Sequence, residues 1–368
     1  MLSKAPVSAC IIVKNEEENI EACVSQLERI VEEIIIVDTG STDRTKEIVE
    51  QRSIKVYAYE WMNDFAAARN YSISLASQPF ILIIDADEQM DLDSAQSLFE
   101  YTANQSEKYP ATVVLKNHMD QGKCVSSEIT RLFPNHKGYK YEGLIHEQLT
   151  LEDKELEQVG STNVVIHHYG YQTSEMTRKQ KIERNLALIE QQLLLKPNSA
   201  YTRFQMGQTL YTNGDYENAI VYFDETIKLL SKKKGGVPSY TPTVFLSYGY
   251  CLLHEKQFAT LELLLGDAIE LFPDYTDLYF LYGTSLIEKK SVNQFNEIKE
   301  IFEHCLALGE VSPNKYETVE GVGSYRAAYN LGLYYEVTGD KSSAIKYYRY
   351  SAKFDFKPSL IRLKELET

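Results

Sequence analysis

Asp85 and Asp87 stand one residue apart, with Glu88 directly behind them, where the aliphatic run "FILII" beginning at Phe80 gives out. Three carboxylates crowded at one strand tip repel one another and are costly to remove from water, so they persist where a cation or water sits among them. Hard divalent ions such as Mg²⁺ or Mn²⁺ take oxygen ligands, commonly one or two carboxylates together with phosphate oxygens of a substrate. An Asp-x-Asp pair alone fits a solvated turn better than a metal site. The rest of the chain has to decide between the two.

The elements around these acids follow a regular order. Short aliphatic runs alternate with amphipathic stretches: "VSACIIV", "EENIEACVSQLERI", "EEIIIVD", "STDRTKEIVEQ", "KVYAYE" and "FILIIDAD". Strand and helix at this spacing predict an α/β fold with a mostly parallel central sheet covered by helices on both faces. Sheets of that kind bind ligands at the carboxyl ends of their strands. Asp38 closes "IIIV" as Asp85 closes "ILII", so two acids fall on one edge of one sheet.

After about residue 176 the strands vanish. The stretch "RKQKIERNLALIEQQLLLKP" puts Ile182, Leu186, Ile189 and Leu193 on one helical face and stops at Pro197, which reads as a connecting helix. Beyond it Gly207, Leu210, Gly214, Asp215, Ala219 and Phe223 are matched near the C-terminus, at the same offsets, by Gly332, Tyr335, Gly339, Asp340, Ala344 and Tyr348. Small residues where helices cross and aromatics filling the gaps make the tetratricopeptide helix–turn–helix pattern. Two degenerate copies lie between, with Gly249 and Gly283 one repeat length of 34 residues apart. Longer intervals mark loops such as "SKKKGGVPSYTP" as insertions.

The chain of 368 residues, 43% apolar and 25% charged, is long enough for two domains, each with its own core. The expected division is 1–175 for the α/β domain, 176–198 for the connecting helix and 199–368 for an all-α repeat domain. A net charge of −15 argues against nucleic acid and anionic membrane surfaces as partners. Five scattered cysteines without a Cys-x-x-Cys pair read as reduced thiols, which points to a cytoplasmic protein. The N-terminal apolar stretch is too short for a signal peptide and no run approaches the ~18 residues of a membrane helix, so neither export nor membrane insertion is expected.

Four linked segments, "SACIIVKNEEENIEACVSQL", "EIIIVDTGSTDRTKEI", "WMNDFAAARN" and "FILIIDADEQM", resemble a family 2 glycosyltransferase of the GT-A fold over roughly residues 7–170. No G-x-G-x-x-G or G-x-x-x-x-G-K-[ST] sequence supports a different nucleotide-binding domain. The resemblance implies a UDP-sugar donor, UDP-glucose or UDP-N-acetylglucosamine, and Mn²⁺ or Mg²⁺ as cofactor. It implies a donor site drawn from Val13, Glu16, Asp38, Asp64, Arg69, Asn70, Asp85, Ala86, Asp87 and Arg131. Within it Asp38 would accept from the uracil N–H, Glu16 would face the ribose or base, and Asp85 would lean toward the ribose. Asp87 would ligate the cation that bridges the phosphates, Arg69 and Asn70 would hold the donor, and Asp64 would cap a helix or touch the sugar. Relatives carry an aromatic near Lys14 to stack on the uracil, and this sequence departs from them there.

The same resemblance places a His-Glu pair at His146–Glu147 and a further metal or diphosphate ligand at His168. Neighbouring strand residues face opposite ways, so His167 and His168 cannot both serve. An inverting transfer needs a base opposite the leaving diphosphate. Glu147 is the first candidate and Glu142 the second. A thiol acceptor, with its lower pKa, would lessen that need. Catalytic and repeat halves together are similar to bacterial peptide S-glycosyltransferases. That implies a peptide or protein acceptor, modified at a Cys or Ser side chain, and a helical half that grips the acceptor or pairs two subunits as a homodimer. The rival readings are a transferase for cell-surface polysaccharide or glycolipid and a non-catalytic repeat adaptor with a relic nucleotide-binding domain.

Overall fold

The aliphatic runs of the first half form strands because their β-branched and aliphatic side chains can be buried on both faces of one sheet. The computed structural model describes residues 4–103, 109–118, 124–152, 154, 156–169, 175–232, 236–290, 292–313 and 315–367. In chain order the first half holds β1 (Ala5–Val13), α1 (Ile20–Ile30), β2 (Val31–Asp38), α2 (Thr45–Gln51), β3 (Val56–Ala58), α3 (Phe65–Ser74), β4 (Phe80–Ile83), β5 (Glu88–Met90) and α4 (Ala95–Ala103). There follow β6 (Ala111–His118), β7 (Cys124–Pro134), β8 (Tyr139–Glu142), β9 (Gln148–Leu151), β10 (Gly160–His168) and α5 (Glu175–Leu195).

The main sheet runs β3-β2-β1-β4-β7-β6-β10-β5. Pairings of β1 with β2 and β4, of β2 with β3, and of β6 with β10 are parallel. Strand β7 runs antiparallel to β4 and β6, and β5 antiparallel to β10. The sheet is thus mostly parallel, as the sequence order predicts, with β7 turning the chain back beside the acid-bearing strand. Alternation along β1 divides the core between two layers. Ala9, Ile11 and Val13 join Val24, Leu27 and Leu98 from α1 and α4, while Cys10 joins Ala66 and Tyr141 beside α3. Val13 lies opposite Asp38, and Ile83 opposite Cys10, so Asp38 and Asp85 emerge from the same edge.

Met1–Pro197 and Asn198–Thr368 are separate compact units. Helix α5, which includes the stretch read as a connector, belongs to the first of them. The second is helical apart from a two-residue strand, Thr318–Val319, which departs from the expectation that strands end near residue 176: α6 (Ala200–Asn213), α7 (Tyr216–Leu230), α8 (Thr241–His254), α9 (Phe258–Leu271), α10 (Thr276–Lys289), α11 (Phe295–Leu308), α12 (Tyr325–Val337), α13 (Lys341–Ala352) and α14 (Lys357–Glu367).

Repeat positions recognised in the sequence meet in space. A Cβ added to Gly207 would stand 2.8 Å from the Phe223 ring, and one on Gly332 would strike the Tyr348 ring. Only a missing side chain lets each aromatic close its hairpin. Gly214 and Gly339 end α6 and follow α12 in the left-handed region, at φ 80° and 83°. Asp215 and Asp340 then cap the next helices through Asn218 N and Ser343 N. Among the described residues no helix is long and apolar enough to cross a membrane. All five cysteines are free thiols. The Gly170–Tyr171 part of the "HHYGY" segment and part of the "SKKKGG" loop lie outside the described residues.

Candidate active site

Asp85 leaves the tip of β4 with its carboxylate divided between two arginines. Oδ1 accepts from Arg69 Nη2 and Oδ2 from Arg131 Nη2, each at 2.9 Å. Arg69 comes from α3, whose start is fixed by Asp64 accepting from Ala67 N at 2.9 Å. Arg131 comes from β7, the strand hydrogen-bonded beside β4. Both guanidinium groups reach one acid further: Arg69 Nε donates to Glu147 Oε1, and Arg131 Nη1 to Glu88 Oε2. Glu88 also accepts from the Asp85 backbone N–H at 2.8 Å. The result is one chain, Glu147–Arg69–Asp85–Arg131–Glu88.

This chain is buried: Arg69 is 8% exposed, Arg131 7% and Glu88 1%. Charges withdrawn from water to that degree hold only when each has its partners. Burial opposes ionisation of Asp85, yet Arg69 and Arg131 outweigh it and keep this carboxyl well below the usual carboxylate range. At Glu88 burial prevails, with the Asp85 charge behind it, and the carboxyl is raised despite Arg131.

Asp87 points to a different partner. Its Oδ2 is 3.2 Å from His168 Nε2, at the end of β10, and His168 Nδ1 is 2.8 Å from Asn117 Oδ1 on β6. Burial lowers the His168 pKa, but the bond to Asp87 and the charges of Asp87, Glu88 and Asp85 raise it above the ordinary histidine value. His167 faces away, with Nδ1 2.8 Å from His118 Nε2.

The Asp87–His168 pair fits a divalent cation. Adjacent octahedral ligands at about 2.1 Å from an ion lie about 3 Å apart, close to the spacing of this pair. Asn117 would fix the ring as an outer-shell partner does. Among the described residues no group of three or more His, Cys, Asp or Glu side chains could hold a metal ion. An ion here would take its remaining ligands from phosphate oxygens and water, the usual habit of Mg²⁺.

The Asp38 side of the edge is built from the loops after β1 and β2. Asp38, 4% exposed, accepts from Ser41 N at 3.0 Å and Gly40 N at 3.2 Å, so its carboxylate closes its own turn. Asn15 Oδ1 accepts from Thr42 N and Glu16 N donates to Thr45 Oγ1, each at 2.8 Å, stitching the two loops together. The Val13 carbonyl is bonded to Thr39, through its N at 2.9 Å and its Oγ1 at 3.0 Å. Ala86 is buried between the two aspartates. Glu16 accepts from Asn19 Nδ2 at 2.9 Å and has Lys181 Nζ of α5 at 3.9 Å. Burial raises its carboxyl, helped by the nearby charges of Asp87 and Asp85.

Of the residues singled out from sequence, Arg69, Asp85, Arg131 and Glu147 meet in one network, and Asp87 meets His168. Asn70 is engaged otherwise: its amide donates to Tyr141 O at 2.9 Å and accepts from Tyr141 N at 2.8 Å, tying α3 to β8. Asp64 serves α3 as its cap. Glu142 stands outside the network, 3.6 Å from Lys140 Nζ. His146 has φ 50°, and burial lowers its pKa. The loop that carries it and Glu147 is fixed by Phe65 N donating to Leu144 O and by Leu144 N donating to Gln192 Oε1, each at 2.9 Å.

Sequence reasoning left Glu88 out of the site, although it stands beside the aspartates. An arginine inside the apolar "RLF" of β7 needs acidic partners, and that was the signal for Glu88. Asn117 and Gln192 carried no such signal, because their partners are distant in sequence.

Comparison with known proteins bears on the same region. The family description "Glycosyl transferase family 2" matches residues 8–149. The chain is similar to a TPR repeat-containing protein of Synechococcus elongatus, with 31% identity over 260 residues, 69% of this chain and 62% of that protein. It therefore spans less than two thirds of that relative. It is also similar to the SPbeta prophage-derived glycosyltransferase SunS of Bacillus subtilis, with 26% identity over 309 residues, 83% of this chain and 72% of that one. A shorter match, 38% identical over 112 residues, covers 29% of this chain and 41% of the lipopolysaccharide core biosynthesis glycosyltransferase LpsC of Rhizobium meliloti.

Proposed function

We propose that this chain, which carries a family 2 glycosyltransferase domain, moves a sugar with inversion from a UDP-sugar to a side chain of a peptide or protein in the cytoplasm. One observation carries the reading: a single guanidinium, Arg69, joins Asp85 at the carboxyl end of the sheet to Glu147 on the loop after β8. A carboxylate for the donor and a candidate base are thereby held one residue apart in space.

In this reading Asp85, kept anionic by two arginines, presents to the donor ribose the lone pairs that Arg69 and Arg131 leave over. Asp38 and Glu16 line the nucleotide side. Asp87 and His168 would hold Mn²⁺ or Mg²⁺, and such an ion supplies charge neutralisation on the departing diphosphate. Glu147 receives the acceptor proton. One of its oxygens is bonded to Arg69, which fixes the side chain and leaves the other for the acceptor. Glu142, paired with Lys140 outside the network, is the weaker base candidate. The repeat unit is suited to the acceptor, since stacked helical hairpins of this kind present concave surfaces to extended chains.

A second reading is favoured by the match to LpsC: the acceptor is a glycan or glycolipid rather than a peptide. Incubation with UDP-glucose or UDP-N-acetylglucosamine and Mn²⁺, following UDP release with peptide, with glycolipid and with neither, separates the two. Release stimulated by peptide supports the first reading. Release stimulated by glycolipid alone replaces it with the second, and no release with any acceptor refutes both.

A further inference from the structure

Lys181 projects from α5 toward the loop after β1, with Nζ 3.9 Å from Glu16 Oε1. That gap is an ion pair without a close hydrogen bond, and the lysine side chain keeps 37% of its surface exposed. Glu16 in turn has its own bond to Asn19 and lies near enough to Asp85 and Asp87 to feel their charges. Lys181 therefore stands beside the acidic edge, loosely held.

Arg69 is shared by Asp85 and Glu147, and Arg131 by Asp85 and Glu88, while Lys46 Nζ stands 4.0 Å from Asp38 Oδ2. Glu16, Asp85, Asp87, Glu88 and Glu147 leave the edge with a surplus of negative charge even after both arginines are counted. A nucleoside diphosphate brings more, and its charge grows as the glycosyl–oxygen bond breaks. One divalent ion at Asp87 and His168 does not offset all of it.

We propose that Lys181 leaves Glu16 when donor binds and contacts the diphosphate of the nucleotide, as a further donor-binding and leaving-group residue supplied by α5. The inference rests on the UDP-sugar reading above. Lysine suits the task, because its ammonium is a compact charge on a flexible four-carbon stem and binds phosphate as a point charge. Helix α5 is placed firmly enough to aim it. Leu188 and Ile189 are buried at 3% and 0% exposure, and Gln192 accepts from Leu144 N in the loop that carries Glu147. One turn after Lys181, the Arg184 guanidinium lies 5.1 Å from the Phe65 ring at the start of α3. One helix face thus borders the Glu16 loop, the start of α3 and the loop of the base.

The test compares UDP with UMP, which lacks the second phosphate, by calorimetric titration of the full chain with saturating Mn²⁺. Lys181→Ala is expected to weaken UDP about tenfold or more and to leave UMP within about twofold, with Lys181→Arg restoring most of the loss. Equal UDP affinity in wild type and Lys181→Ala overturns the proposal, as does an equal loss for UDP and UMP. If the wild type binds neither nucleotide, the donor reading itself falls and takes the proposal with it. If it binds UDP with no dependence on position 181, only the proposal falls. Lys181 is partly exposed, so its removal leaves the fold intact, and an unchanged thermal midpoint verifies this.

Discussion

Asp85 and Glu147 are held by the same guanidinium: Arg69 gives Nη2 to the first, at 2.9 Å, and Nε to the second. Lysine cannot reproduce that fork, because its single nitrogen cannot present two donors in one plane to separate acids. Arg69→Lys is therefore expected to lower kcat by about a hundredfold or more. Arg69→Ala leaves Glu147 without this partner and Asp85 with Arg131 alone, and costs about 3 kcal/mol of stability. Urea denaturation and initial rates of UDP release measure both. Wild-type rates in Arg69→Lys would remove the fork from the account.

Glu88 touches neither base nor sugar in this reading. It holds Arg131 and the Asp85 backbone, and so positions the carboxylate that meets the donor. Glu88→Gln keeps the shape and removes the charge, which costs about 1–3 kcal/mol. It is expected to raise the donor KM more than it lowers kcat. An effect on kcat alone would point to a role in proton transfer instead.

A proton and the proposed ion compete for His168 Nε2. The bond to Asp87 and neighbouring acids outweigh burial and raise the His168 pKa, so a proton occupies the nitrogen at lower pH and leaves as pH rises through the raised value. Without metal, the stabilising His168–Asp87 ion pair is complete below the ordinary histidine pKa and is lost above the raised one. Mn²⁺ affinity should therefore climb as pH rises from the ordinary histidine pKa through the raised one, and flatten beyond it. His168→Gln should abolish most of that slope. A slope unchanged by the substitution would exclude His168 as ligand.

A separate pH effect belongs to the repeat unit. Asp277 is fully buried on α10, and burial pushes its carboxyl up to about 7 although Thr318 Oγ1, at 2.6 Å, and Val319 N, at 2.8 Å, both donate to it. With a folded pKa above the unfolded one, stability is complete below about pH 4 and falls as pH rises to about 7, by at most about 4 kcal/mol. Asp277→Asn should remove this slope and make the protein more resistant to urea at pH 8 than wild type. Equal pH dependence of both proteins would show that Asp277 does not cause it.

How much of this was legible before any coordinates depended on the range of the interactions. The alternation of strands and helices at the start of the chain could be read because each of those strands carries its own aliphatic run, and parallel neighbours need the helices seen between them. The antiparallel β7 could not, since nothing local in "EITRLFP" fixes which strand it joins. In the repeats, Gly207 and Phe223 were legible as a pair because their spacing recurs at Gly332 and Tyr348. At the site, Asp85 and Asp87 were found from type and spacing, and Arg69 from the family resemblance. Their division of labour was not, because it depends on Arg131, Glu88 and Glu147 arriving from separate elements. Asn70 and Asp64 show the converse: polar residues beside a site whose side chains are spent on Tyr141 and on a helix cap.

The most direct test of transfer at this edge is the intact mass of an acceptor peptide after reaction with UDP-sugar and Mn²⁺, run on wild type, Asp87→Ala and Glu147→Gln. The account predicts one added sugar with wild type, fragmentation placing it on a single side chain, and loss of about a hundredfold or more with either substitution. Undiminished sugar addition by both variants would contradict it.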